Sequence, residues 1–235
     1  MHGCVYCYAR LSARRLGETR EWGSFLYVKK DFTKLLARDL KKAKRGLCLL
    51  SSITDPYQPI EAELKLTRAI LELLAGKMDV VVLTKSPLVL RDLDIISSQR
   101  WQAGLTITTL DDSAARVFEP KAPPPSQRIR ALREVARKTT GFMFIGPILP
   151  VVTEKDLEQL FEEAASAGAS YVLVDKLNVK AGNWRSIQKA LKTRMPKLIP
   201  LFKKALFTDK AYYHRLKQRV AELSRKYGVQ VEFCY

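Results

Sequence analysis

The run Asp79–Lys85, DVVVLTK, packs four apolar residues between polar ends. It is too short for a stable helix and lacks a helical stripe, so it reads as a strand buried on both faces. Similar runs recur on either side: LCLLSS (47–52), GLTITT (104–109), GFMFIGPI (141–148) and SYVLV (170–174). Helix-periodic segments fill the intervals. Phe32, Leu35, Leu36 and Leu40 share one face before Gly46, and Leu64, Thr67, Leu71 and Leu74 form a stripe closed by Gly76. KAPPPSQR (121–128) is a turn-rich insertion leading into a helix from about Ser126. Thr153 with Asp156 predicts a capping-box start for the helix carrying Leu157, Leu160 and Phe161.

Strands alternating with helices every ~30 residues predict right-handed βαβ units and a parallel sheet. Five such strands cannot close an eight-stranded barrel, so the expectation is an open or partial α/β barrel with its chemistry at the C-terminal strand ends. After residue 178 the pattern changes to basic helices, and VQVEFCY (229–235) predicts an edge strand. The chain therefore divides into a barrel domain, 1–178, and a basic, mainly helical extension, 179–235.

The 41 Lys and Arg outnumber 24 Asp and Glu, a formal charge of +17. The excess sits at the ends. Residues 1–46 carry 12 basic and 4 acidic side chains and residues 179–235 carry 14 and 3, leaving the middle nearly neutral. Such ends would attract a polyanion, nucleic acid above all. No apolar run approaches the ~20 residues of a membrane span, no signal peptide is visible, and four cysteines do not make a disulfide framework. Reduced thiols, a cytoplasmic location and no membrane partner are expected.

Cys4 and Cys7 place two soft ligands on a tight loop with Tyr6 between them. Zinc would need two further ligands that are not evident. Three thiolates on such a loop can hold three irons of a 4Fe–4S cube and leave the fourth open to a small molecule. Cys48 lies four residues before Ser52, ~13 Å from that strand end at ~3.3 Å per residue, and reads as a structural thiol. Cys234 reads the same way. Tyr8, Tyr57, Tyr212 and Tyr213 read as packing residues.

HGCVYCYAR (2–10), SSITDPYQPIEAELKLTRAILELL (51–74), VVVLTKSPLVLRDLD (80–94), LTITTLDDSAARVFEPKAPPPSQRI (105–129) and FMFIGPILP (142–150) occur in an order that resembles the radical SAM superfamily, in its spore photoproduct lyase-related branch. The resemblance implies a (β/α)6-type partial barrel binding a 4Fe–4S cluster and S-adenosylmethionine, whose reductive cleavage by an external electron donor yields a hydrogen-abstracting radical. It implies Cys4 and Cys7 as cluster ligands and Tyr6 beside adenine. Ser51, Ser52 and Asp55 would receive the methionyl amino group, Lys85 its carboxylate, and Thr108 a second hydroxyl contact. Asp55, Lys85 and Thr108 also fall at or beyond strand C-termini, where a parallel sheet binds ligands.

Counting back from Cys4, the first cysteine of the family's loop would precede Met1, so the resemblance implies a member lacking that cysteine and the first strand. Ser52 stands where the lyase has a hydrogen-donating cysteine. An alcohol O–H is a poorer hydrogen-atom donor than a thiol, so spore photoproduct lyase activity itself is not expected. Three readings stay open: a radical enzyme acting on nucleic acid, one acting on a protein or metabolite, and a cluster-less nucleic-acid-binding remnant.

Overall fold

The computed structural model describes residues 1–50, 53–179 and 183–235. Six strands form one parallel sheet in sequential order: β1 (Leu47–Leu50), β2 (Asp79–Thr84), β3 (Gln102–Thr106), β4 (Thr140–Ile148), β5 (Tyr171–Lys176) and β6 (Gln230–Phe233). The sheet stays open, as the partial-barrel reading expects. Among the described residues β1 pairs only with β2, and Leu47 and Leu49 are exposed.

The helices run α1 (Ala9–Arg15), α2 (Phe32–Leu40), α3 (Glu61–Leu64), α4 (Leu66–Leu74), α5 (Leu93–Ser98), α6 (Asp112–Phe118), α7 (Pro125–Lys138), α8 (Val152–Ser166), α9 (Asn183–Arg194), α10 (Ile199–Lys203) and α11 (Tyr212–Tyr227). Lys65, in the left-handed region at φ 50°, divides α3 from α4 within the stripe read as one helix. Leu71, Leu74, Val80, Val82, Leu105, Leu132 and Leu160 meet in the main core. A smaller apolar cluster around Phe118, Ile187, Leu191 and Phe202 carries Cys4 and Tyr6 at its edge.

Register in the sheet centre follows from ring packing. Gly104 pairs with Phe142, which pairs with Tyr171. The Phe142 and Tyr171 rings stack with centroids 4.9 Å apart, and a Cβ on Gly104 would overlap the Phe142 ring. That position therefore needs glycine.

The expectations for β3 and the start of α8 are corrected. β3 spans 102–106 rather than 104–109, because the chain beyond it is diverted into bonds with α8. The Thr153 hydroxyl donates to the Thr108 carbonyl at 2.6 Å and accepts from Leu149 N–H at 2.8 Å, while Asp156 accepts from Leu110 N–H at 2.8 Å and from the Thr109 hydroxyl. Thr153 and Asp156 thus pin the β3 loop to α8 instead of capping it. The helix begins at Val152, and Glu154 accepts from the Val151 N–H at 2.7 Å.

From residue 179 onward the chain supplies α9, α10, α11 and the edge strand β6. Cys48 is half-buried against the core, but Cys234 is an exposed thiol beyond the last strand, not a packed one. Among the described residues no helix is long and apolar enough to cross a membrane.

Candidate active site

A cavity of about 330 Å³ opens at the C-terminal ends of the strands. The strands contribute Leu49, Leu83, Thr106, Phe144, Asp175 and Lys176 to its walls, and the N-terminal loop closes it with His2, Cys4, Tyr6 and Cys7. Backbone bonds tie the loop to the end of α6 and the segment after it: Val5 N–H donates to Phe118 C=O at 2.8 Å, and Lys121 N–H donates to His2 C=O at 3.2 Å. Gly3, at φ 67°, lies so close to Gly23 that a Cβ on the latter would come within 2.9 Å of the Gly3 Cα. The crossing needs both glycines.

Beneath the loop lies a buried polar network. The Glu119 carboxylate accepts from the Tyr6 hydroxyl and pairs with Arg128 at 2.5 Å, both charged side chains being fully shielded from water. Arg128 also donates to the carbonyls of Thr106 (3.1 Å) and Pro123 (2.7 Å). Burial alone would raise the Glu119 carboxyl, but the Arg128 and Lys85 charges and the Tyr6 hydrogen bond outweigh it and hold it below its ordinary value. Burial pushes the Tyr6 phenol well up, so it stays a protonated donor. Asn183 closes the arrangement, its amide donating to Tyr6 C=O at 2.9 Å.

The expected site residues distribute as follows. Cys4, Tyr6, Cys7, Asp55 and Lys85 all face the one cavity. Lys85 Nζ stands 5.8 Å from the Tyr6 ring centroid and forms no ion pair with a described carboxylate. Asp55 is heavily engaged: it accepts from Tyr57 N–H (2.9 Å), the Thr84 hydroxyl (2.6 Å) and Lys85 N–H (2.7 Å), with His2 Nδ1 3.4 Å away. It fixes the turn that presents Lys85, while its remaining surface borders the cavity. Thr108 is fully buried, its hydroxyl 3.4 Å from Glu119, and Thr106 is the threonine that borders the cavity. Ser51 and Ser52 lie outside the described residues.

Burial raises both loop thiols, Cys4 to about 12, so each is protonated at neutral pH until a metal displaces the proton. Neither is in a disulfide, and both border the same cavity. As a donor set they fit two of the three thiolate positions of a cube-binding loop. The described residues bring together no group of three or more His, Cys, Asp or Glu side chains able to hold a metal ion, so a complete cluster site is not present among them.

Sequence reading missed Glu119, Arg128, Asn183 and Asp175. Asp175 lies at the end of β5 on the cavity wall, and burial raises its carboxyl. Its place just past the SYVLV strand was the one available signal. Tyr57 is a core residue with its hydroxyl 3.1 Å from Asp92, whereas Tyr8 is exposed at the cavity mouth.

An open parallel α/β sheet with a thiol-bearing loop closing a cavity over its strand ends defines a partial-barrel, cofactor-binding fold. The chain belongs to the Radical SAM superfamily, whose sequence profile matches residues 1–164. Members of that superfamily bind a 4Fe–4S cluster and S-adenosylmethionine. An uncharacterised protein of Methanocaldococcus jannaschii is 33% identical over 182 residues, covering 77% of this chain and 68% of that protein. An uncharacterised protein of Acidianus two-tailed virus is 28% identical over 254 aligned positions, covering 100% of this chain and 79% of that one. Among solved structures, spore photoproduct lyase complexed with dinucleoside spore photoproduct superposes with a TM-score of 0.69 at 17% identity, over 98% of this chain and 73% of the lyase. Streptococcus suis SuiB bound to S-adenosylmethionine superposes with a TM-score of 0.66 at 12% identity, over 99% of this chain and 47% of SuiB.

Proposed function

We propose that the protein is a radical SAM enzyme related to spore photoproduct lyase, acting on a nucleic-acid substrate. One observation carries the reading: the two loop thiols, Tyr6, Lys85 and Asp55 all wall a single cavity at the strand ends. Cys4 and Cys7 would hold two irons of the cluster, with a third ligand from outside the described residues. When bound, the cluster and S-adenosylmethionine supply a hydrogen-abstracting 5′-deoxyadenosyl radical after one-electron reduction by an external donor.

The chain's own residues do the positioning. Lys85, unpaired and fixed at its backbone by Asp55, would meet the methionyl carboxylate. Asp55, Ser51 and Ser52 would meet the amino group, and Tyr6, locked by Glu119, would lie along the adenine. Thr106 fills the threonine role on the cavity wall, with Thr108 behind it. The concentration of positive charge at both ends of the chain supports a polyanionic substrate.

The test is anaerobic reconstitution of the protein carrying an added cysteine ahead of Met1, followed by S-adenosylmethionine binding and reductive cleavage. Iron uptake and release of 5′-deoxyadenosine are expected. Lys85→Ala should weaken cofactor binding roughly tenfold or more, the loss of a charge-assisted bond of about 1.5–3 kcal/mol. A protein that takes up neither iron nor cofactor sinks the proposal.

A second reading, a cluster-free nucleic-acid-binding protein, is favoured by the lack of a third metal ligand among the described residues. It predicts nucleic-acid binding with no iron uptake even when the extra cysteine is supplied.

A further inference from the structure

Behind the cysteine loop, on the side away from the cofactor cavity, lies a second and larger hollow of about 940 Å³. It is bounded by α1, residues 18–25, α6 and α9. Val5 of the loop borders it, Cys4, Tyr6 and Cys7 border the cofactor cavity, and Gly3 borders both. The two hollows therefore stand back to back across one thickness of chain, and Trp22 borders both.

The charge of this groove is one-sided. Arg10 and Arg14 come from α1, Arg116 from α6, and Lys189 and Arg194 from α9. None of the five forms an ion pair with a described carboxylate. Two carboxylates, Glu18 and Glu21, also line the groove. Glu18 is already committed to Arg20, at 2.6 Å, and to the Tyr27 hydroxyl at 2.5 Å. Glu21 faces Arg10 without closing an ion pair on it. By contrast, three cations of α11 are ion-paired internally: Arg215 with Asp209, Arg219 with Glu158 and Glu222, and Lys226 with Glu158. The groove thus gathers five cations without an ion pair on one trough, whereas in α11 only Lys217 and Arg225 are left without one among the described residues.

A second, independent feature points to an acceptor-bearing ligand. The Arg10 Nε and Trp22 Nε1 donors are both shielded from solvent and have no hydrogen-bond partner among the described residues. Buried donors are ordinarily satisfied. Both residues belong to the groove wall, the Arg10 guanidinium lying 5.8 Å from the Trp22 ring centroid, so a shift of either side chain would turn its free donor toward acceptor oxygens in the groove. Cations arranged around an open trough on three separate elements suit repeated charges along a chain better than one isolated phosphate, and an indole among them is the usual companion of single-strand binding.

We propose that this groove binds the phosphodiester backbone of a single-stranded nucleic acid, holding the strand beside the loop that closes the cofactor cavity. The inference deepens the nucleic-acid reading of the substrate and rests on it, but its test needs neither cluster nor cofactor. A fluorescein-labelled single-stranded oligodeoxynucleotide of about ten nucleotides, within the usual site sizes, is titrated with the full chain over a range of salt concentrations. The groove variant is Arg116→Glu/Lys189→Glu/Arg194→Glu. Lys41→Glu/Lys42→Glu/Lys44→Glu makes the same change in net charge away from the groove.

The groove variant should bind at least tenfold more weakly and flatten the slope of log K against log salt by about 2, three lost phosphate contacts at ~0.7 each. The control should stay within about threefold of the parent. Trp22→Phe, which keeps the ring volume close, should abolish the change in intrinsic fluorescence on oligonucleotide addition and provides a readout should the triple variant fold poorly. Equal weakening by both triples overturns the proposal, as does parental binding by the groove variant. Competition by polyglutamate, inorganic phosphate or a mononucleotide as effective as that by unlabelled oligonucleotide also overturns it. Cofactor cleavage that persists while the groove proves inert would remove this inference and leave the enzyme reading standing.

Discussion

Replacing Glu119 by glutamine tests whether the buried network beneath the cysteine loop holds that loop in place. Glu119 and Arg128 are both fully shielded and meet at 2.5 Å, so the neutral amide leaves a guanidinium buried without its counter-charge. Removing one partner of a buried pair costs about 3–5 kcal/mol. Arg128 keeps its bonds to the Thr106 and Pro123 carbonyls, and a glutamine oxygen can still accept from Tyr6, which argues for the lower end, about 3 kcal/mol. For a domain of this size each kcal/mol moves the midpoint by about 2–4 °C, so thermal unfolding at neutral pH should fall by roughly 6–12 °C. The double variant Glu119→Leu/Arg128→Met removes both charges together and should regain part of that loss, because an apolar pair avoids the desolvation cost while the Tyr6 hydroxyl and the Thr106 and Pro123 carbonyls lose their partners. A Glu119→Gln midpoint within about 2 °C of the parent, or a double variant as unstable as the single, would refute the reasoning.

Two further expectations follow from the same groups. Glu119 and Asp55 both titrate below their ordinary values in the fold: burial opposes this, but Arg128, Lys85 and Tyr6 prevail at Glu119, and His2, Thr84 and Lys85 at Asp55. A lowered folded pKa gives stability that is complete above the unfolded value, about 3.9 for Asp and 4.3 for Glu, and is lost as pH falls through the folded value. Denaturation midpoints should therefore hold from neutrality down to about pH 4.3 and then decline, with a shallower decline in Glu119→Gln; equal acid limbs in parent and variant would contradict the assignment. Thiol alkylation followed by mass spectrometry should modify exposed Cys234 first and Cys4 last, since burial holds the Cys4 thiol up to about 12; early labelling of Cys4 would show that the loop does not pack as described.

Much of the architecture was legible because it depends on neighbours in the chain. The apolar run at Val80–Leu83, the stripe ending at Leu74 and the edge strand at Gln230–Phe233 each express a pattern that a few adjacent residues reveal, although only the fold shows that Val80, Val82 and Thr84 are the more buried face of β2. Asp55 and Lys85 were legible as residues of the strand-end face because a parallel sheet exposes its C-terminal ends, and Cys4 and Cys7 as a thiol pair on one loop; the roles proposed for all four came from the family resemblance. Thr153 and Asp156 were misread for the opposite reason. Locally they have the form of a helix cap, but their partners, Thr108 and Leu110, lie 45 and 46 residues away.

Glu119 and Arg128 had no local signature either. An acid before a proline and an arginine in a basic helix become a matched pair only when α7 brings the guanidinium under the loop. The groove behind the cysteines likewise needs α1, α6 and α9 to converge, and net charge alone does not distinguish its free cations from those that α11 neutralises against Glu158. Periodicity and motif spacing are short-range properties, so the order of letters was enough to set the succession of strands and helices and the family. Which charges are buried, paired or left open to a ligand depends on distances between segments far apart in the chain, and those distances exist only once it has folded.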